Sequence, residues 1–339
     1  MSVAPTDMRE STVSADFDPR SWDMVGSLNL SKQLVTGRVL VELARTRPEI
    51  CVLTADLGRP TQVRVFKEEF PERYFNFGIA ERNMIGAAAG MAAAGLRPYV
   101  SNYACFMAVL ATDNIRTDVC YPNLPVKMIG THSGVAMGFY GTSHHATEDI
   151  GFLRSIANLT VLAPIDATSL RQALEATVDF ETPLYLRVGR GRETPVYDAP
   201  IPGWRIGGSH QLRDGSAATI FATGNCVNFA LDAARELAGA GIEVRVVDAY
   251  SLKPIDREAV LAAAAETGAV FTAEEHNVIG GLGSAVAEVL AEAGTGTKLT
   301  RIGFQDAYSV LGPPTHLYAH YGLDGAGIAK TVRASLAGR

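Results

Sequence analysis

A single acid, Glu81, opens an otherwise apolar helix and is the first candidate for chemistry in this sequence. The stretch 73–77 before it is predicted as a short strand, and Tyr103 and Phe106 follow the end of the next one. Parallel sheets place ligands at the carboxyl ends of their strands, where these three side chains would meet. A carboxyl group in apolar surroundings can share a proton with a ring nitrogen of a bound heterocycle, on which the rings could stack. The simpler alternative is a helix-start acid stabilised by the helix dipole, near two core aromatics.

A second candidate is the glycine-rich run Thr131 to His145, which contains three of the seven histidines and follows a predicted strand. Loops at strand ends commonly carry catalytic side chains, because the sheet behind them is rigid. A metal site is the weaker alternative. Adjacent His144 and His145 rarely face one ion, and Glu148 and Asp149 are explained as caps of the next helix. We therefore predict acid–base or substrate-binding histidines and no metal ligand.

Three guanidinium groups, Arg187, Arg190 and Arg192, end the last predicted strand of the first half. Alternation along a strand places Arg187 and Arg190 on opposite sides, so at most one or two of the three can meet the same anion. A phosphate-bearing substrate or a carboxylate at a subunit interface would suit them. The alternative, which the sequence leaves open, is the solvated start of a linker.

These candidates are positioned by two units in which helices alternate with short β-branched runs, the pattern of parallel sheets with crossover helices. The first unit is predicted to contain a helix at 31–47, strands at 50–55, 74–77, 98–103, 126–131, 160–164 and 184–188, and helices at 61–70, 81–94, 105–119, 146–157 and 166–179. The second is predicted to contain strands at 217–222, 243–248, 269–273 and 298–303, and helices at 226–240, 256–266 and 283–293.

A run rich in glycine and proline, 189–208, is the best linker in the chain. We therefore predict an α/β protein of two domains, each a mostly parallel sheet flanked by helices. The predicted boundaries are a flexible leader at 1–26, a first domain at 27–192, a linker at 193–208 and a second domain at 209–339.

Composition narrows the class of protein. The chain has 339 residues, 47% of them hydrophobic, and a net charge of −6, so we expect substantial cores and no nucleic-acid partner. No stretch approaches the ~20 apolar residues of a membrane span, and no export signal is recognised. The four cysteines match neither a zinc site nor a disulfide framework, which favours buried thiols in a cytoplasmic protein.

Four sequence motifs together resemble the transketolase family. The run Phe77-Gly78-Ile79-Ala80-Glu81 matches its Phe-Gly-Ile-x-Glu, and the run Thr131 to His144 matches its Thr-His…Gly-x-x-Gly-x-[Thr/Ser]-His. Ala55-Asp56-Leu57 matches the end of its first strand. The runs 273–276 and 280–284 are similar to the C-terminal domain shared with deoxyxylulose-phosphate synthase. Over roughly residues 28 to 335 the chain thus resembles the pyrimidine-binding and C-terminal domains of transketolase.

The resemblance implies thiamine diphosphate as cofactor. In this family the acid equivalent to Glu81 hydrogen-bonds N1′ of the aminopyrimidine and thereby promotes loss of the thiazolium C2 proton. By the same match Phe106, with Tyr103 beside it, would stack on the pyrimidine, and Asp56 would border the cofactor.

The resemblance also implies substrate contacts. His144 would bind donor hydroxyls and assist proton transfer, and His132 would bind near the reacting carbons or the substrate phosphate. We expect further substrate contacts from Tyr140, Arg187 and Arg190.

One part of the family's site is missing from this chain. Transketolases hold the diphosphate and its divalent metal with a Gly-Asp-Gly…Asn segment of their first domain, and this sequence contains none. We therefore expect a partner, an N-terminal transketolase subunit that holds the diphosphate and Mg²⁺, in an α2β2 assembly with cofactor at the interfaces. The partner would bury the apolar surface around Glu81.

The expected activity is that of the C-terminal subunit of a split transketolase, which moves a two-carbon ketol unit from a ketose or ketose phosphate to an aldose. Two enzymatic alternatives are a deoxyxylulose-phosphate-synthase-like decarboxylating subunit and the beta subunit of a 2-oxo-acid dehydrogenase. A non-catalytic scaffold or regulatory subunit is the alternative from another class. Phe139 and Tyr140 replace the family's acidic pair, and the serine that helps hold the substrate phosphate in the family is replaced near Arg59-Pro60. A different or unphosphorylated donor is therefore plausible.

Overall fold

The computed structural model describes residues 35–191 and 193–338. The predicted leader, Ser31 and Arg192 lie outside these ranges. Every strand predicted from the sequence is present, and the α/β class is confirmed. The strands of the first domain are β1 Ile50–Thr54, β2 Tyr74–Asn76, β3 Arg97–Tyr103, β4 Lys127–Thr131, β5 Thr160–Leu162 and β6 Leu184–Arg187. Its helices are α1 Thr36–Ala44, α2 Arg64–Glu69, α3 Glu81–Ala93, α4 Ala104–Leu110, α5 Thr112–Asn114, α6 Asp149–Arg154 and α7 Ala167–Ala176.

The second domain adds strands β7 His210–Arg213, β8 Ala218–Ala222, β9 Val244–Asp248, β10 Ser251–Lys253, β11 Ala269–Asn277 and β12 Lys298–Phe304. Its helices are α8 Cys226–Ala238, α9 Arg257–Thr267, α10 Leu282–Glu292, α11 Pro314–His320 and α12 Gly325–Ala337. Two of these strands, β7 and β10, and two helices, α11 and α12, have no counterpart in the sequence prediction.

The described strands form two sheets. The larger has the order β10-β5-β6-β4-β3-β1-β2, and the smaller has the order β12-β11-β8-β9-β7. The neighbours in each sheet are parallel apart from β10 on β5 and β7 on β9. Central strands such as β1, β4 and β8 are buried along their whole length, as expected where helices cover both faces of a sheet. Because β10 follows β9 in the second domain yet pairs with β5, the two domains share a sheet.

The continuous helix predicted at 105–119 is wrong in detail. Helix α4 ends at Leu110, α5 is one short turn, and a π-helical turn occupies Ile115–Cys120. At the break the hydroxyl group of Thr112 donates to the carbonyl oxygen of Ala108. Bonds of this kind, from a threonine hydroxyl group to the carbonyl oxygen four residues earlier, often bend a helix.

A buried ion-pair network joins the domains. Arg187, at the end of β6, is 2% exposed, and its Nε lies 2.9 Å from an Asp149 oxygen. Its Nη1 donates to Oε1 of Glu275 on β11 at 3.3 Å, and its Nη2 donates to the Glu275 carbonyl oxygen at 3.1 Å. The expectation that Arg187 contacts substrate is therefore wrong, because its donors are directed at these buried acceptors.

Replacing Arg187 should strongly destabilise the protein. Arg187→Met leaves the carboxylates of Asp149 and Glu275 buried without their cation, and we expect a loss of about 3–5 kcal/mol in the free energy of unfolding. Denaturant titration of the full chain measures this loss. The control is Arg171→Met, which removes exposed ion pairs to Glu42 and Glu175 and should cost about 1 kcal/mol or less. Equal losses in the two variants would contradict the prediction.

Candidate active site

Glu81 lies where the chain leaves β2. It is the first residue of α3 and is 6% exposed. The approach is fixed by Asn76, whose side-chain oxygen accepts hydrogen bonds from the backbone N–H groups of Asp56 at 2.9 Å and Gly78 at 3.1 Å. Gly78 has a φ of +66°, a conformation that favours glycine. These contacts join the ends of β1 and β2. They position the side chain of Glu81 at the edge of the sheet where the parallel strands end.

A buried amide faces this acid. Asn102, fully buried near the end of β3, donates from Nδ2 to Oε1 of Glu81 at 3.3 Å. Its Oδ1 is buried and has no hydrogen-bond partner within the described residues. Burying an acceptor without a donor carries a free-energy cost, so this pair of side chains suits a ligand that brings N–H groups.

Five rings follow one another in the segments that continue from β3 and β4. The ring centroids are 4.4 Å apart for His132 and Tyr103, 5.8 Å for Tyr103 and Phe106, 5.1 Å for Phe106 and His144, and 5.0 Å for His144 and Tyr140. We call these five residues the ring cluster. The structure therefore brings together the aromatic and histidine residues that the sequence singled out from separate loops. Their spacings are those of aromatic side chains in mutual contact.

Two of the three loop histidines belong to this cluster. We call residues 132–146 the histidine loop. His132 is buried with a φ of +62°, and its Nδ1 lies 2.9 Å from Oγ1 of Thr131. His144 is partly exposed, with Nδ1 2.9 Å from Oγ of Ser143, and burial lowers the pKa of its imidazole. His145 lies apart, since its ring is buried between Oγ of Ser309 and the carbonyl oxygen of Gly138.

Two further candidates, Arg190 and Asp56, follow the ends of β6 and β1. The side chain of Arg190 is partly buried and donates from Nη1 to the carbonyl oxygen of Ala136 at 3.1 Å. Burial raises the pKa of Tyr103 to about 12, and the charge of Arg190 acts against this rise. Asp56 is exposed at the end of β1, where Nδ2 of Asn76 donates to its Oδ1 at 3.3 Å.

Asn102 and Asn76 are the site residues that sequence reasoning missed. The available signal was a polar residue at or beside the end of a short apolar strand, where a buried amide needs partners. For the described residues no group of three or more His, Cys, Asp and Glu side chains is arranged to hold a metal ion. Within the same residues no helix is long and apolar enough to cross a membrane.

Each of the two domains matches a known protein family. Residues 30–194 match the transketolase pyrimidine binding domain, and residues 207–328 match the transketolase C-terminal domain. One of the subunits of the apulose-4-phosphate transketolase of Phocaeicola vulgatus is 37% identical over 292 residues, which cover 86% of this chain and 93% of that one. A solved structure described as a split gene transketolase, inactive beta4 tetramer, is 42% identical with a TM-score of 0.80, and covers 89% of this chain and 96% of that one.

A longer relative matches over only part of its length. The 1-deoxy-D-xylulose-5-phosphate synthase 1 of Geobacter sulfurreducens is 38% identical over 342 residues, which cover 96% of this chain but 53% of that protein. The chain therefore spans about half the length of this synthase.

The two matched domains, with the acid and the ring cluster on the first, define the class. The chain belongs to the transketolase family of thiamine-diphosphate-dependent transferases. Within that family it corresponds to the C-terminal section, which split transketolases carry as a separate subunit.

The lowered pKa of His144 predicts how stability depends on pH. Between this pKa and the ordinary value of 6.5, the unfolded chain binds more protons at His144 than the folded chain does. The contribution of His144 to the free energy of unfolding should therefore fall as pH decreases through this window, and change no further below it. Denaturant titrations of the wild type and of His144→Gln at pH 8, 6 and 5 measure this contribution. The variant should show a smaller loss on acidification, and an unchanged or steeper loss would contradict the assignment.

Proposed function

We propose that this chain is the C-terminal subunit of a split transketolase that transfers a two-carbon ketol unit from a ketose or ketose phosphate donor to an aldose acceptor. The observation that carries the proposal is the buried carboxyl group of Glu81, which lies beside the unpartnered Oδ1 of Asn102 at the sheet edge that also carries the ring cluster. A scaffold has no need for this costly arrangement, whereas a heterocycle with N–H donors satisfies it.

The residues fit the pyrimidine half of thiamine diphosphate. Glu81 would hydrogen-bond a ring nitrogen and exchange a proton with it, Phe106 and Tyr103 would hold the ring, and Asp56 would border the cofactor. When bound, thiamine diphosphate supplies the nucleophilic carbon that breaks and forms a carbon–carbon bond next to a carbonyl group. This chain contributes orientation of the ring and control of the proton at Glu81.

The histidines would act on the substrate. Because burial lowers the pKa of His144, its imidazole is neutral at pH 7 and can both accept and donate a hydrogen bond to a sugar hydroxyl group. His132, held against Tyr103, would bind near the reacting carbons or the substrate phosphate. Tyr140, 43% exposed, occupies the outer end of the ring cluster, where it would contact the donor.

We place the diphosphate and Mg²⁺ on a partner subunit in an α2β2 assembly. Large apolar side chains near the acid are exposed in the single chain: Ile79 at 86%, Val109 at 54% and Leu110 at 49%. They lie just before α3 and on α4, two helices that pack together. Exposed apolar surface of this kind supports a protein interface. The four cysteines are buried free thiols, which supports the reducing cytoplasm as the location.

The decisive test is reconstitution with the subunit that carries the Gly-Asp-Gly…Asn segment, thiamine diphosphate and Mg²⁺. The complex should transfer ketol groups between sugars, and Glu81→Gln and Glu81→Ala should each lower kcat by about 10²–10⁴-fold, because proton exchange with the cofactor is lost. Glu68→Gln, a change at an exposed acid on α2, is the matched control. Normal turnover by either Glu81 variant would refute the role of this acid.

The same complex separates the enzymatic alternatives. Release of carbon dioxide from pyruvate or another 2-oxo acid, without ketol transfer between sugars, would favour a decarboxylating synthase or dehydrogenase subunit. Failure to bind cofactor even with the partner present would favour a scaffold.

The position of Arg190 leads us to predict a preference for phosphorylated over unphosphorylated ketose donors. Its guanidinium borders the histidine loop, where Nη1 donates to the carbonyl oxygen of Ala136, and it would meet a substrate phosphate there. Arg190→Gln should therefore raise KM for a phosphorylated ketose by about 10-fold, equivalent to one charge-assisted hydrogen bond. KM for the unphosphorylated ketose should change much less. Steady-state kinetics with the matched pair of donors measures the difference, and equal changes for both would exclude a phosphate contact.

A further inference from the structure

The second domain contributes no side chain to the ring cluster, yet it holds the loop that carries three of the five rings, those of His132, Tyr140 and His144. Oγ of Ser133, in the histidine loop, donates to Oε1 of Glu275 at 2.8 Å. The two residues are 2% and 1% exposed, and they are 142 positions apart in the sequence. A hydrogen bond from a hydroxyl group to a buried carboxylate is among the stronger ones in proteins.

Glu275 is itself held in place. The hydroxyl group of Tyr318 on α11 donates to its Oε2 at 2.6 Å, and Nη1 of Arg187 donates to its Oε1 at 3.3 Å. The carboxyl group is thus fixed from both domains. Ser133 therefore bonds to a rigid acceptor.

The two ends of the histidine loop meet beside this carboxyl group. Gly134 and Ala146 exchange backbone hydrogen bonds of 3.1 and 2.8 Å, and Nη2 of Arg187 donates to the carbonyl oxygen of Ala146 at 3.0 Å. Gly134 has a φ of +58°, and a Cβ atom at this position would lie 2.5 Å from the carboxyl group of Glu275. The loop therefore closes directly against Glu275.

His132 precedes Ser133 and has a φ of +62°, a value that residues other than glycine seldom adopt. Such conformations persist only where the surroundings fix them. The backbone on both sides is fastened, since His132 N–H donates to the carbonyl oxygen of Gly189 and Ser133 N–H to that of Val188, each at 3.2 Å. The side chain of Ser133 adds the anchor that comes from the second domain.

We propose that Glu275 is a positioning residue for the transfer reaction, which through Ser133 fixes the backbone of His132 and hence the place of its ring against Tyr103. The second domain would thus set the geometry of a site on the first. This inference rests on the proposed function for its kinetic consequence, but not for its structural one.

The structural consequence is tested on the full chain with ¹⁵N-labelled histidine side chains. The imidazole signals of His132, assigned by their loss in His132→Asn, should shift in Ser133→Ala, because the anchor next to its backbone is removed. Glu275→Met should shift the same signals. Glu275→Gln keeps an amide oxygen that can accept from Ser133, so its effect should be smaller than that of Glu275→Met.

The control is Tyr318→Phe, which removes the other hydrogen bond to Glu275 and leaves the contact with Ser133. We expect a lower unfolding temperature and unshifted His132 signals. If Glu275→Met does not fold, the result for Ser133→Ala alone tests the proposal, because that variant removes only one oxygen atom. Unshifted His132 signals in folded Ser133→Ala, or a shift in Tyr318→Phe as large as in Ser133→Ala, would overturn the proposal.

The kinetic consequence is tested in the reconstituted complex. A displaced catalytic group can lower turnover by about 10²-fold, so Ser133→Ala should reduce kcat at least about 10-fold while KM for the donor changes much less. In the double variant Ser133→Ala/Glu275→Met, the fold-reduction of kcat should be less than the product of the reductions in the two single variants, because both changes remove the same hydrogen bond. Multiplicative losses would overturn the proposal.

Failure of this inference is distinguishable from failure of the proposed function. Shifted His132 signals in Ser133→Ala, with no ketol transfer by the wild-type complex, would leave the positioning contact standing and refute the transketolase assignment. Ketol transfer by the wild type, with neither shifted signals nor a lower kcat in Ser133→Ala, would do the reverse.

Discussion

The buried cation of Arg187 is the interaction on which the arrangement of the two domains depends. It lies between the carboxylates of Asp149 in the first domain and Glu275 in the second, and all three side chains are almost completely buried. Charges removed from water are tolerated only where each has its counter-charge and its hydrogen bonds. Separating the domains would leave these charges without their partners, so the network favours domains that stay together. The pairing of β10 with β5 adds backbone hydrogen bonds between the domains.

The candidate active-site residues lie at one edge of the larger sheet. Glu81 and the ring cluster lie at the carboxyl ends of β2, β3 and β4, the edge at which open parallel sheets bind ligands. Exposed apolar residues such as Ile79 lie beside the acid, so the surface that holds the cofactor's pyrimidine in our proposal also borders the proposed partner. Cofactor binding and subunit assembly would then be linked, because a site divided between two chains reaches full affinity only when both are present.

The pKa values of His144 and Tyr103 are shifted by burial more than by neighbouring charges. Desolvation is the largest cause of the lowered pKa of His144 and of the raised pKa of Tyr103. At neutral pH the site therefore contains a neutral imidazole and a protonated phenol, both able to donate hydrogen bonds to sugar oxygens. Polar, uncharged groups of this kind fit a substrate rich in hydroxyl groups.

Features that depend on near neighbours in the chain could be predicted from the residue pattern. The small-residue helix that begins at Glu81, the buried strands and the glycine-rich histidine loop follow from patterns within about ten residues, and all are present. The break after Leu110 was missed because the helical spacing of buried residues continues past it, through Ile115, Val119 and Cys120.

Which polar residues are buried, and which partners they meet, depends on contacts between distant parts of the chain. Alternation predicted that Arg187 and Arg190 point to opposite sides of their strand, but which side faces the interior depends on Glu275, 88 residues further on. His145 stands beside His144 in sequence yet bonds to Ser309, 164 residues away. The orphaned oxygen of Asn102 is likewise invisible in sequence. The physical reason is that the cost of burying a polar group is set by its partners in space, and chain order does not fix those partners.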